Sequence, residues 1–506
     1  MDPIAAHAAR HPHRAAIIEG DRSLTWEEFF RTRNRLAHAL GGLGVAAGQH
    51  VVVYAHNSIE NLVAGAAVRL LGAISVPMNH RLTEDEAAYI LDNSDATAVF
   101  VGDAFLAMAE RVRGGARVKH WITLGAERRP WAEALPDLLA RGLDTPPPPP
   151  AAAGGSMIYT AGTTGKPKGA LRRVTDPAAV LPRLAELDCL DPAHVHLVAG
   201  PMYHSAPGSF AVYAHLVGNT VVVMPKFDPE QALALIERHR CTTTFMAPTL
   251  LKRIVDLPEA VRARYDVRSM RSLVIAAAPC PMRVKEQALA MFGPVLYEFY
   301  GSTELGVNTV LRPEDVLRKP GSCGRASAAV ELAILDDAGA PVPAGTPGEL
   351  FIRRYTGVFE EYYKNPAATA QTSRGEWMSV GDVAWIDAEG FVYICDRKRD
   401  MIISGGVNIY PAEIEDALHR HPAVEDVAVF GVPDPEWGER VHAAVQLRYG
   451  ERASERELAE FCRAHLADYK TPREVSFHDE FPRDAAGKLV KRLLREPYWA
   501  GRQTRV

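Results

Sequence analysis

Residues 159–169 read Tyr-Thr-Ala-Gly-Thr-Thr-Gly-Lys-Pro-Lys-Gly, directly after the apolar pair Met157 and Ile158. Gly162, Gly165 and Gly169 let the backbone turn tightly and present its N–H groups. The hydroxyls of Thr160, Thr163 and Thr164 add donors, and Lys166 and Lys168 add positive charge. Such a segment can cradle a phosphate. It is not the P-loop pattern GxxxxGK[ST], because Pro167 follows Lys166 and no hydroxyl residue adjoins that lysine. A flexible Gly/Thr surface loop has the same composition, so the string alone leaves both readings open. Metal chemistry has less to build on: His194 with His196, and His419 with His421, lack a third ligand at metal-site spacing and are read as surface or helix-end residues. The six cysteines, at 189, 241, 280, 323, 395 and 462, include no CxxC pair. They are read as buried small apolar residues in a reducing cytosol, not as a disulfide framework or a zinc ribbon.

The eleven-residue string resembles the phosphate-loop signature of the adenylate-forming superfamily, which includes acyl-CoA synthetases, luciferases and the adenylation domains of peptide synthetases. The resemblance implies nucleotide-binding roles for Thr160, Gly162, Thr163, Thr164, Gly165 and Lys168. The family has serine where this chain has Ala161, so one phosphate-side hydroxyl is lost and weakened, not abolished, activity is expected. Tyr-Glu-Phe-Tyr-Gly-Ser-Thr-Glu at 297–304 resembles the family's aromatic-Gly-x-Thr-Glu signature. By that match Tyr300 stacks on adenine, Glu298 lies near its amino group, and Thr303 contacts the α-phosphate. Glu304 helps hold Mg2+ together with Thr164, while Phe299 and Gly301 belong to the same nucleotide strand. The residue types suit these tasks, since a hard cation wants carboxylate and phosphate oxygens and a purine wants a flat aromatic face.

Ala277, Ala278 and Pro279 resemble the small-residue segment on the other adenine face, where bulk would block the base. Asp382 and Arg397 resemble the ribose-binding aspartate and arginine, and a carboxylate can accept from both ribose hydroxyls. Arg399 falls at the family's hinge, and Gly405 and Gly406 lie in the loop that lines the pantetheine tunnel after domain rotation. Lys488, in Pro-Arg-Asp-Ala-Ala-Gly-Lys, resembles the catalytic lysine that bridges the substrate carboxylate and the α-phosphate. Residues 200–218 resemble the acyl-pocket helix, with His204 as the gate beside the carboxylate. Met202, Ala206, Phe210 and Met246 offer an apolar lining, completed by Ala276, Gly301 and Gly306. The segment holds no Asp or Glu to neutralise an ammonium, which disfavours a free amino acid and favours a fatty, alicyclic or aryl acid. The implied reaction joins the acid to AMP, releases pyrophosphate and passes the acyl group to coenzyme A. An amine acceptor would keep the same motifs, and the Ala161 departure keeps a silent nucleotide-binding homologue as an alternative.

Elements must carry these residues to one place. Residues 26–40 have apolar residues at helical spacing, Val51-Val52-Val53-Tyr54 reads as a buried strand, and strand and helix then alternate to about residue 275. That alternation predicts an α/β fold with parallel sheets covered by helices. Five prolines at 146–150 predict a stiff surface connection. Short strands and turns from about 330 predict a β-rich subdomain, and a mixed α+β unit follows residue 400, its second helix opening with a Ser454–Glu457 capping box. The family implies residues 1–396 as a large adenylation domain, 397–400 as hinge and 401–506 as a small mobile domain.

The 506 residues are 47% apolar and 24% charged, enough for several cores, which excludes global disorder. With 57 basic against 62 acidic residues the net charge is -5, so the surface lacks the basic footprint of a dedicated nucleic-acid binder. No apolar run approaches the roughly 20 residues of a membrane span, and no signal-peptide core opens the chain, so a cytoplasmic protein without membrane insertion is expected. Its partners would be the acid, ATP with Mg2+, and coenzyme A, with a homodimer left open.

Overall fold

The computed structural model describes residues 2–125, 127–160, 167–173, 176–328, 330–353, 359–398, 400–404, 407–435, 437–483 and 489–500. Apolar β-branched runs become buried strands and the amphipathic stretches between them become covering helices, as the alternation predicts. One sheet has eight strands, in the order Glu361–Tyr362, Lys168–Arg173, Gly155–Thr160, Ile74–Pro77, His50–Tyr54, Ala96–Val101, His120–Thr123, Glu133–Ala134. Its first two junctions are antiparallel and the rest parallel.

A second sheet has nine strands, in the order Arg325–Ala326, Gly306–Leu311, Leu296–Ser302, Ser272–Ile275, Thr243–Met246, Val195–Val198, Thr220–Val223, Ala15–Glu19, Arg22–Thr25. The N-terminal hairpin thus completes a sheet made otherwise of residues 195–326, through parallel pairing of Ile17 with Val221. Apart from Glu361–Tyr362, the strands between Leu332 and Arg397 build a third, antiparallel sheet, and those between Ile402 and Phe477 a fourth. Helix starts obey local chemistry: Thr25 with Glu28 and Ser454 with Glu457 form capping boxes, the latter as predicted. Residues 146–150 lie in no helix or strand and are mostly exposed. Among the described residues no helix is long and apolar enough to cross a membrane.

The histidine expectation is corrected. His194 and His196 are interior residues whose Nδ1 atoms lie 2.9 Å from the hydroxyls of Thr242, just before the neighbouring strand, and Thr243, its first residue. Burial pushes His196 down to about 3, so it stays neutral near pH 7. His421 is buried as well, accepting from the Ala423 N–H, and only half-buried His419 sits at a helix end. The cysteines are free, five buried and Cys395 half-buried. Burial pushes the Cys189 and Cys241 thiols up to about 12, so they are inert packing residues.

Candidate active site

Strands Gly155–Thr160 and Lys168–Arg173 form an antiparallel hairpin closed by Thr160 opposite Lys168. The phosphate string therefore joins two strands, whereas a P-loop joins a strand to a helix. Gly162, Thr163, Thr164 and Gly165 lie outside the described residues, as do Arg399, Gly405, Gly406 and Lys488. Beyond the hairpin the next strand pairs Tyr362 with Ala170, and the Lys168 ammonium sits 5.3 Å from the centre of the Tyr362 ring. The Tyr362 hydroxyl donates to Glu304 Oε1 at 2.7 Å, and burial followed by that carboxylate raises the phenol's pKa. Glu304 is only 6% exposed, and Tyr362 is its one hydrogen-bond partner among the described residues. A buried carboxylate with an oxygen to spare suits a hard cation. Thr303, beside it on the same turn, is half-buried.

Strand Leu296–Ser302 sends alternate side chains to opposite faces, and this divides the predicted cluster. The Tyr300 hydroxyl donates to Asp382 Oδ2 at 2.6 Å, and burial, then the Asp382 charge, lift its pKa well above the usual range. Glu298 is corrected. Its carboxylate is buried and bound by the Lys285 ammonium, which comes from helix Met282–Phe292, so it does not face an adenine amino group. Burial works against the Lys285 charge, but Glu298 outweighs it and the lysine's pKa rises. Phe299 is corrected as well: it points to the opposite face, 6.2 Å from Phe210 and 6.0 Å from Phe245, in an apolar cluster. At Gly301 a Cβ would lie 1.9 Å from the Gly306 carbonyl oxygen, so glycine is required for backbone approach; Gly306 itself has φ +69°.

Asp382 and Arg397 face each other in the register of strands Asp382–Ile386 and Val392–Arg397, with Arg397 Nε 3.3 Å from Asp382 Oδ1. Burial disfavours the Arg397 charge, but Asp382 and Asp400 outweigh it and raise its pKa. One carboxylate thus orders both the Tyr300 ring and the Arg397 guanidinium. Ala277, Ala278 and Pro279 follow the carboxyl end of strand Ser272–Ile275, where open α/β sheets bind ligands. Ala277 is exposed with φ +81°, a left-handed conformation that costs a non-glycine residue about 1–2 kcal/mol. Local strain of that kind clusters at functional sites.

The apolar pocket divides too. Ala206 and Phe210, on helix Ser205–Val217, join Ala276 and Phe299 in one cluster, while His204 stands at that helix's N-cap with its ring 4.4 Å from that of Tyr203. Met202 and Met246 are corrected to core residues. Met246 alternates with Phe245 and faces the opposite side of the sheet, and Met202 packs in the core beneath the first helices.

Two positioning residues escaped the sequence reading. Tyr362 belongs to no string of chemical character, whereas Lys285 carried a signal, a charge three residues before buried Ala288 on the apolar helix face. Lys285→Met should destabilise the protein by about 3–5 kcal/mol, because it leaves Glu298 as an unpaired buried charge. Burial without the cation lifts the Glu298 pKa, so the variant's deficit should be larger at pH 8 than at pH 5, where the carboxyl takes up a proton. Urea unfolding at both pH values checks this, and a pH-independent deficit would contradict the pairing.

The chain is similar to known proteins over nearly its whole length. Residues 4–363 match the family model described as AMP-binding enzyme, and residues 413–488 the one described as AMP-binding enzyme C-terminal domain. The chain is 33% identical over 498 residues to the long-chain-fatty-acid–CoA ligase FadD13 of Mycobacterium tuberculosis, covering 97% of this chain and 96% of that protein. It is 34% identical over 493 residues to the 2-succinylbenzoate–CoA ligase of a Geobacillus species, covering 96% and 95%. Among solved structures, the amide bond synthetase McbA from Marinactinospora thermotolerans matches with a TM-score of 0.88 at 28% identity, over 98% of this chain and 99% of that one.

Proposed function

The chain belongs to the AMP-binding enzyme family, and from that premise we propose that it is an ATP-dependent acid:CoA ligase. The observation that carries the reading is the convergence of Tyr300, Asp382 and Arg397 on one hydrogen-bonded cluster, with Glu304 on the turn that follows Tyr300's strand. Tyr300 and the Ala277–Pro279 segment take the adenine, Asp382 and Arg397 the ribose, and the hairpin with Lys168 the phosphates. Glu304, oriented by Tyr362, holds Mg2+ with Thr164. Bound there, the cation supplies charge neutralisation for the phosphates.

In the first step a carboxylate oxygen of the acid forms a bond to the α-phosphorus while the bond to the β-phosphate's bridging oxygen breaks. Pyrophosphate departs with the electron pair, leaving acyl-AMP. Lys488 bridges the two reacting groups as charge builds, and the protein's contribution is positioning and charge neutralisation. In the second step the coenzyme A sulfur attacks the acyl carbonyl, its proton is lost, and AMP leaves. His204 gates the carboxylate, and the cluster around Phe210 and Phe299 receives the apolar part of the acid.

Residues 1–396, 397–400 and 401–506 would then act as adenylation domain, hinge and mobile domain. Rotation about the hinge must release the Lys252–Glu425 ion pair and the approach of Lys491 to Asp396.

The test is incubation with MgATP and a panel of fatty, alicyclic and aryl acids, following pyrophosphate. Acid-dependent release is expected, with thioester when coenzyme A is present. Absence of release with every acid would refute the enzyme reading. The likeness to an amide bond synthetase favours a second reading, an amine acceptor. Amide without thioester in parallel incubations would select it.

A further inference from the structure

Strand side chains alternate, so Lys168, Ala170 and Arg172 share one face while Leu171 packs with Met157 in the core on the other. Ala170 packs with Leu305 and Tyr362, which puts this face toward the groove that holds Glu304. Arg172 lies two residues further along, about 7 Å away. There its Nη1 donates to the hydroxyl of Ser205 at 3.0 Å, at the first residue of the acyl-pocket helix. The residue is 8% exposed, its Nε has no hydrogen-bond partner, and among the described residues it forms no ion pair, the nearby Glu360 being taken by Arg173.

A guanidinium this deeply buried is ordinarily matched by an anion, because an unpaired buried charge is costly. Here its partner is a neutral hydroxyl. The surroundings add to the positive potential. Arg172 meets the N-terminus of the thirteen-residue helix Ser205–Val217, whose N-cap, His204, makes no side-chain capping bond. The leading N–H groups of that helix also ask for negative charge, so a cation at this end opposes the helix dipole. Two features that each call for an anion converge beside the cluster of Ala206, Phe210 and Phe299.

We propose that Arg172 receives a second carboxylate of the acid substrate, so that the preferred acids are dicarboxylates. The apolar segment between the two carboxylates lies against the Phe210–Phe299 cluster, the reacting carboxylate points toward the α-phosphate, and the distal one ion-pairs with Arg172. The guanidinium's planar fork suits a carboxylate, and a site built around a buried charge rejects analogues that leave it unmatched. This specificity rests on the ligase reading, and its test has a readout that does not depend on turnover.

The experiment compares the dicarboxylates succinate through suberate with the monocarboxylates butyrate through octanoate, using wild type, Arg172→Met and Arg172→Lys. Without nucleotide, at least one dicarboxylate should raise the melting temperature of wild type and of Arg172→Lys, but not of Arg172→Met. With MgATP, pyrophosphate release should favour that dicarboxylate over its matched monocarboxylate by about 10-fold or more in wild type. Arg172→Met should lose about 100-fold on the dicarboxylate and change less than threefold on the monocarboxylate.

Equal losses on both acids would place Arg172 at the reacting carboxylate and overturn the proposal. Unchanged selectivity in a folded Arg172→Met, or in the equally uncharged Arg172→Gln if the methionine variant does not fold, would overturn it too, as would melting shifts identical in wild type, Arg172→Lys and Arg172→Met. If no acid releases pyrophosphate, the ligase reading fails, while the nucleotide-free melting shifts still decide the role of Arg172.

Discussion

Lys488→Ala is expected to lower acid-dependent pyrophosphate release by about 10²–10³-fold, the usual effect of removing a donor aimed at developing charge. Transfer to coenzyme A from preformed acyl-AMP should change by only a few fold. The asymmetry follows from the chemistry of the two steps. In the first, two anions, a carboxylate and the α-phosphate, must approach each other, and a cation between them acts on the barrier itself. In the second, a thiol meets an already activated carbonyl and AMP leaves as an anion, so the bridging ammonium has less to neutralise. Steady-state pyrophosphate release and single-turnover thioester formation from synthetic acyl-AMP separate the steps. Equal losses in both would contradict the bridging role and make Lys488 a residue of general electrostatic or structural effect.

Asp382→Ala should produce a loss of comparable size in kcat/KM for ATP, for a different reason. The carboxylate accepts from Tyr300 at 2.6 Å and faces Arg397 at 3.3 Å, so its removal leaves a buried phenol without an acceptor and a guanidinium that keeps only the more weakly acting Asp400 and Glu304 as counter-charges. An unsatisfied buried donor costs about 1–3 kcal/mol and a charged group more, so kcat/KM should fall about 100-fold or further. Asp382→Asn keeps an acceptor for the Tyr300 hydroxyl while removing the charge, and should retain more stability than the alanine variant. The ribose contact has its own signature. Wild type should discriminate ATP from 2′-deoxy-ATP, and both variants should discriminate less, since the lost hydroxyl no longer has a carboxylate to bind. Undiminished discrimination in Asp382→Ala would move the ribose contact elsewhere.

The legible parts of the site were contiguous ones. Thr160 and Lys168 flank one short string whose glycines, hydroxyls and lysines declare a turn rich in donors, and the structure closes that string as a hairpin. Asp382 and Arg397 were legible as residue types in order along the chain, but their pairing depends on strand register, which aligns residues fifteen positions apart. Within Tyr297–Glu304 the string could not assign side chains to faces of the strand. Alternation sends Phe299 to Phe210 on one face and Glu298 and Tyr300 to the other, where their separation along the strand gives them different partners, Lys285 and Asp382.

The same geometry explains the methionines. Met202 and Met246 were read as adaptable pocket lining because apolar character suits a pocket and a core equally well. Only the direction of the side chain separates the two, and in a strand such as Thr243–Met246 that direction reverses at each residue. Tyr362 and Lys285 went unread because neither belongs to a string of chemical character; each matters through a partner brought close by folding, Glu304 in one case and Glu298 in the other.

By itself, then, the order of residues determined the layered α/β architecture and the capping box at Ser454, and it marked the donor-rich string at 159–169. These rest on local periodicity and on donors close together in the chain. Tertiary structure alone decided that the first strands join the sheet of residues 195–326, that Tyr300, Asp382 and Arg397 make one cluster, and that Arg172 is buried with no carboxylate partner among the described residues. The physical reason is that burial and pairing are properties of distances through space. A lone arginine in a sequence is an ordinary solvated charge, and it acquires its demand for an anion only when the fold removes the water around it.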